Sequence, residues 1–243
     1  ARKAQLAGLR PRDAAGLARF REALGPAYRH ALAVEWPSEA VRESPSTSGL
    51  TAGVRDLALG RRGRGDRVPL RLWAAPPESR RAVLIIHPGG IAGASEHEAS
   101  LVEPLRRQGS LVASLDAFGT GSARASRDTS ARFFTTYNRT DDANRVQDVL
   151  TALAWLKRQP GIREVSLVGL ERAGLWCLLA QALAPGLDAV VADADGFATE
   201  RDEAYLDRLS IPLLRSVGGF ETALTLSLGT RLYVHGTLGV FDT

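Results

Sequence analysis

Cysteine is nearly absent from this chain. Cys177 is the only one, so neither a disulfide framework nor a thiolate metal cluster can be assembled. Its place inside an apolar helical pattern assigns it to the core. Methionine is missing altogether, even at position 1, and the chain stops at Phe241, Asp242 and Thr243 in what reads as a loop. It is therefore read as a piece of a longer protein, and the compartment stays open. No apolar run approaches the roughly 18 residues of a membrane helix, and the first residues lack a charged-then-apolar leader. A membrane partner is not expected. Lysine is also scarce, with only Lys3 and Lys157, so the formal charge of +4 rests almost wholly on arginine. The densest group, Arg61, Arg62, Arg64 and Arg67, alternates with Gly60, Gly63 and Gly65 between two strand-like runs. A solvated hairpin turn explains it better than phosphate binding, because no aromatic stacking residues accompany it. Nucleic acid is not an expected partner.

What is present is an ordinary globular composition. The 243 residues are 44% hydrophobic and 24% charged, enough to bury one sizeable core. Residues 1–49 read as a helical leader and linker. Asp13 is placed to cap an amphipathic helix with Leu17, Phe20 and Leu24 on one face, and Gly25 and Pro26 are expected to end it. The run 43–49, Glu-Ser-Pro-Ser-Thr-Ser-Gly, is the most linker-like segment, so the compact domain is expected over 50–243.

From residue 50 onward strand and helix patterns alternate. Residues 54–59 and 68–74 form an expected antiparallel hairpin at one sheet edge. Residues 81–87 hold Val83, Leu84, Ile85 and Ile86 without a polar break, the pattern of a strand buried on both faces. A helix is expected over 98–108, a strand over 111–116 and a helix over 141–158 capped by Thr140, with Asp141 and Asp142 at the positive end of its dipole. Strands at 164–169, 188–193 and 231–235 and a helix at 172–184 complete the pattern. The fold class is α/β, a mostly parallel sheet with helices on both faces.

In such sheets ligands sit beyond the carboxyl ends of the strands, so the residues that follow each strand are the candidates. Three loops stand out: His87-Pro88-Gly89-Gly90; Asp116-Ala117-Phe118-Gly119-Thr120-Gly121-Ser122; and Gly169-Leu170-Glu171-Arg172-Ala173-Gly174. Together they resemble the α/β-hydrolase family, as an oxyanion loop, a D-x-x-G-x-G-x-S-like loop and a nucleophile elbow in the right order. The run from Phe133 and Phe134 through Asn138, Arg139 and Asp142 to Asp148 is similar to the acetyl xylan esterase and dienelactone-hydrolase-like branch, often met as tandem domains in large bacterial proteins. This resemblance covers roughly 50–243. It implies an oxyanion hole made by Gly89, Gly90 and the backbone of Arg172. It implies a triad acid at Asp242 and a base histidine after a further strand, so the C-terminal strand and helix of the family are read as missing. It also implies a secreted or periplasmic setting, a carbohydrate ester or other small molecule as ligand, and an active esterase domain of the same parent protein as partner.

The elbow departs from the family. The pattern wants Gly-x-Ser-x-Gly, yet Glu171 stands where serine should be, and no Gly-x-Ser-x-Gly occurs anywhere in the chain. A carboxylate attacking an acyl carbon would form an anhydride and store the energy, whereas attack on a saturated carbon would give an alkyl ester. None of the four histidines is placed as a general base: His30 lies in the leader, His97 opens a helix, His235 ends a strand, and His87 belongs to the oxyanion loop. Asp193 and Asp195, closing the strand at 188–193, are an alternative acid but read as loop hydrogen-bonders. Arg139, Asp142, Arg145 and Asp148 read as an ion-pair network bordering a cleft. No metal site and no cofactor is expected. Three functions remain open: a degenerate, non-catalytic companion domain; a carboxylic-ester hydrolase completed by residues elsewhere; and a hydrolase with Glu171 as nucleophile at a saturated carbon.

Overall fold

The computed structural model describes residues 2–39, 41–45, 53–74, 76–124, 128, 130 and 132–237. Its elements, in chain order, begin with helices α1 (Arg2–Gly8) and α2 (Ala14–Leu32) and strands β1 (Arg42–Pro45), β2 (Val54–Gly60), β3 (Val68–Trp73) and β4 (Arg81–Ile86). Helices α3 (Gly90–Glu96) and α4 (Glu103–Arg107) follow, joined by one π-helical turn at Glu98–Val102, then β5 (Ser110–Leu115). The rest comprises α5 (Phe134–Tyr137), α6 (Asp141–Leu156), β6 (Glu164–Gly169), α7 (Ala173–Gln181), β7 (Ala189–Asp193), α8 (Asp202–Asp207), α9 (Gly219–Leu226) and β8 (Arg231–His235).

The eight strands form one sheet in the order β1-β2-β3-β5-β4-β6-β7-β8. The first four in that order pair antiparallel, and β5, β4, β6, β7 and β8 pair parallel. The unbroken apolar run of β4 explains its central place. Ala82, Leu84 and Ile86 join the main core with α6 and α7, while Val83 and Ile85 enter the second core with Trp73, Ala94 and Val102. Period-two alternation thus feeds two helical layers at once.

The leader corrects the expectation that Gly25 and Pro26 end its helix. Asp13 caps α2 as expected, its Oδ1 accepting from the Gly16 amide at 2.6 Å, but the helix continues through Pro26 to Leu32. A proline inside a helix costs about 3 kcal/mol, whereas burying each large apolar side chain returns about 1.5–3 kcal/mol. Tyr28 and Leu32, both fully buried beyond the proline, outweigh it. They extend the face begun by Phe20 and Leu24 into the same core as the sheet, and the Tyr28 hydroxyl donates to the Gly219 carbonyl at 3.2 Å.

Other boundaries shift too. Residues 42–45, read as linker, pair with β2 as an edge strand. The helix expected at 98–108 starts eight residues earlier, at Gly90, so His97 sits between α3 and the π turn rather than opening a helix. Helix α7 is shorter than expected, ending at Gln181. The arginine-rich hairpin is fastened to the leader: Arg61 bonds Asp66 at 2.6 Å and Glu35 at 3.1 Å, and Arg64 also reaches Glu35.

Because Tyr28 is central to the leader's seat, Tyr28→Ala is expected to lower unfolding stability by roughly 3–5 kcal/mol and Tyr28→Phe by about 1 kcal/mol. Urea unfolding of the two variants measures this. A loss under 1 kcal/mol for Tyr28→Ala would show that the leader is only loosely attached.

Candidate active site

The elbow is built by lack of space. Strand β6 turns into α7 so tightly that a Cβ on Gly174 would lie 1.9 Å from the Asp193 carbonyl oxygen, and one on Gly169 would lie 2.6 Å from the Gly174 Cα. The turn is closed by the Gly174 amide donating to the Glu171 carbonyl at 2.9 Å and the Ala173 amide to the Leu170 carbonyl at 3.1 Å. Glu171, between them, adopts φ +48°, a region that non-glycine residues occupy at a cost. The expectation that Glu171 occupies the tight strand-to-helix turn therefore holds. Its side chain is 62% exposed and stands at the carboxyl end of the parallel sheet.

Glu171 has one close ionisable neighbour. Its Oε1 lies 3.5 Å from His87 Nε2, and the imidazole is almost buried. His87 Nδ1 accepts the Gly89 amide proton at 2.9 Å, which assigns the ring proton of the neutral imidazole to Nε2, facing the carboxylate. The sequence assigns His87 a backbone role; its side chain instead bridges the loop after β4 and the elbow. The His97 ring stands 5.8 Å from it.

The loop after β4 is bonded to itself and to Asp116. The Gly89 amide goes to His87 Nδ1, the Gly90 amide to the His87 carbonyl at 2.9 Å, and the Ile91 amide to Asp116 Oδ1 at 2.7 Å. Asp116, 4% exposed, holds the neighbouring loop as well: its Oδ2 accepts from the Ser122 amide at 2.8 Å and the Ser122 hydroxyl at 2.6 Å. Gly90, at φ +71°, is required here, since a Cβ would fall 2.2 Å from Asp116 Oδ1. Arg172, beside Glu171, has its Nη2 3.9 Å from Asp142 Oδ1, and its Nε is buried without a hydrogen bond among the described residues. Asp242 lies outside the described residues, so of the sequence-derived candidates the structure brings together Glu171, Gly89, Gly90 and Arg172.

Of the ion-pair network expected among Arg139, Asp142, Arg145 and Asp148, the Asp142–Arg145 pair forms, whereas Asp148 bonds a backbone amide instead. Buried Asp142 accepts from Arg145 at 2.8 Å, Trp176 Nε1 at 2.9 Å and the Ser210 amide at 2.9 Å. Arg145 Nε donates to the Phe118 carbonyl at 2.9 Å, and Asp148 Oδ2 accepts the Phe118 amide at 2.8 Å, so α6 grips both backbone atoms of that loop residue. Burial pushes the Asp148 carboxyl from the ordinary 3.8 up to about 7, against the opposing pull of the Phe118 amide. At the end of β7, the strand beside the elbow, Asp193 Oδ1 accepts the Asp195 amide at 2.8 Å and lies 3.7 Å from His235 Nδ1. That is the loop-bonding role expected of the pair. No group of three metal-ligating side chains occurs among the described residues.

An antiparallel start, a crossed parallel sheet and a strained residue at a strand-to-helix elbow after a central strand define the architecture. The fold is that of the α/β-hydrolases. The chain superposes on a candidate acetyl xylan esterase from Bacteroides fragilis with a TM-score of 0.69, at 12% identity over 95% of this chain and 72% of that one. A methylesterase gives 0.69 at 19% identity, over 98% of this chain but 56% of the other. A glucuronoyl esterase from Solibacter usitatus gives 0.54 at 16% identity, over 85% of this chain and 72% of that one. No protein-family profile and no curated protein sequence matches the chain.

A raised carboxyl pKa means that the folded state binds more protons than the unfolded one between pH 3.8 and about 7, so stability falls as pH rises through that window and levels off above it. Asp148→Asn removes the titration while keeping an oxygen for the Phe118 amide. The variant is expected to gain a few kcal/mol relative to the parent between pH 4 and pH 8. Chemical denaturation at the two pH values checks it, and an unchanged difference would refute the assignment.

Proposed function

We propose that this chain is a non-catalytic domain of the carbohydrate-esterase type, a companion to an active esterase domain of the same parent protein. The observation that carries the reading is the Glu171 carboxylate at the nucleophile position, facing His87 at 3.5 Å. Acyl transfer develops negative charge on the substrate oxygen beside the elbow. The Glu171 carboxylate opposes that charge, and because its side chain is 62% exposed, solvent screens the repulsion well below the roughly 4 kcal/mol of two charges 4 Å apart at an effective dielectric of 20. Two further features support the reading. The Gly89 and Gly90 amides, which an oxyanion would need, are already spent on His87. The carboxylate itself is unsuited to ester cleavage, because its acyl product would be an anhydride. The neighbouring structures with carbohydrate-esterase descriptions supply the class of ligand.

The experiment is hydrolysis of an aryl acetate by the purified protein. No turnover above a heat-treated control is expected. Glu171→Ser is expected not to restore it, because the shorter side chain withdraws its oxygen from His87 and leaves the hydroxyl without a base. Turnover that Glu171→Ala abolishes would overturn the proposal and make Glu171 a working residue.

A further inference from the structure

At the end of the sheet opposite the elbow lies a cavity of about 580 Å³, between α2 and the last turns of α7 and α9. Helix α7 runs its nine residues from the elbow to Gln181, so about 13 Å of helix at 1.5 Å per residue separate the two places. The cavity is of the size that small molecules occupy. Arg21, Gly25 and Arg29 lie four residues apart on one face of α2 and form one wall, with residues 181–186 opposite. A Cβ on Gly25 would meet nothing within 4 Å, so the absent side chain leaves part of the room.

The wall chemistry is mixed, with two arginines, Arg21 and Arg29, against one carboxylate, Glu22. Trp36, half-buried, supplies a flat aromatic surface. Arg21 is committed to the carbonyls of Leu226 and Leu228, at 3.0 and 2.5 Å, and so serves as the cap of α9. Glu22 and Arg29 bring opposite charges and make no ion pair among the described residues. Gln181 is 2% exposed, and neither atom of its carboxamide has a hydrogen-bond partner among the described residues. A buried unpaired amide is costly and calls for a partner.

The two arginines oppose a cation and a purely apolar ligand would desolvate all three charged groups without return, while the Trp36 face and the unpaired Gln181 carboxamide call for a C–H face and hydroxyls rather than for a charge. A neutral polyhydroxylated ring suits them all. Its hydroxyls donate to Glu22, accept from Arg29 and reach the Gln181 amide directly or through a water, while its C–H face lies on the Trp36 ring. We propose that this cavity is a second site of the domain, binding a neutral sugar of mono- or disaccharide size away from the elbow. The choice of a sugar, though not the existence of the cavity, rests on the carbohydrate-esterase reading above.

Calorimetric titration of the whole chain with xylobiose, and with cellobiose as a second neutral probe, tests it. Gly25→Leu fills the room and improves helix propensity at a position with open space, so the variant is expected to keep the parent's unfolding temperature. Its affinity for the sugar should fall at least tenfold, while Glu171→Ala, which reports binding at the elbow instead, should bind as the parent does. Absence of saturable heat with either disaccharide would overturn the proposal. So would parent-like binding by Gly25→Leu, or tighter binding of galacturonate than of the neutral sugars. Turnover of an aryl acetate would defeat the non-catalytic reading while leaving these titrations unaffected, so the two proposals fail separately.

Discussion

Everything at the candidate site depends on how closely β6 and α7 approach β7. With the Asp193 carbonyl 1.9 Å from where a Gly174 side chain would begin, the chain has no room to enter its helix gradually. It must turn within two residues, and residue 171 is lifted to φ +48° at the head of α7. The same close approach explains why small residues, Gly169, Ala173 and Gly174, surround Glu171. The elbow is a packing solution first. Its occupant decides only what the raised position can do, and a carboxylate there can accept protons and hydrogen bonds but is unsuited to the acyl chemistry for which a serine is raised.

The loops around the elbow are tied to one another by buried carboxylates. Asp116 ties the oxyanion loop at Ile91 to the loop at Ser122, Asp148 and Arg145 tie that loop to α6, and Asp142 ties α6 to Trp176 on α7 and to Ser210. Each of these acids accepts at least one backbone amide, which is how a carboxylate is kept beneath the surface at tolerable cost. The consequence is a set of strand-end loops tied to one another around a mouth that holds the exposed Glu171 carboxylate and the nearly buried His87 imidazole.

Much of this was legible in the amino-acid order. The doubly buried run at Val83 to Ile86, the Thr140 cap, and the bracketing of Glu171 by glycine and alanine are local signals, and they placed the central strand, α6 and the elbow. What was missed depends on contacts between distant segments. Pro26 signals a helix end, yet the apolar spacing from Phe20 through Leu24 and Tyr28 to Leu32 runs past it, and tertiary burial decided between the two. Residues 42–45 lack strand character and become a strand because β2 offers an unpaired edge. The pairing of His87 with Glu171 spans 84 positions and carries no spacing signal. Neither does the exhaustion of the Gly89 and Gly90 amides, which requires knowing where the His87 ring points.

What decides the proposed non-catalytic role is whether Glu171, raised at the elbow, can carry an acyl intermediate. Intact-protein mass spectrometry after exposure to an activated aryl ester and to an organophosphonate reads this directly, without dependence on turnover. The account predicts an unmodified mass with both reagents. A stoichiometric adduct mapped to the peptide containing Glu171 would contradict it.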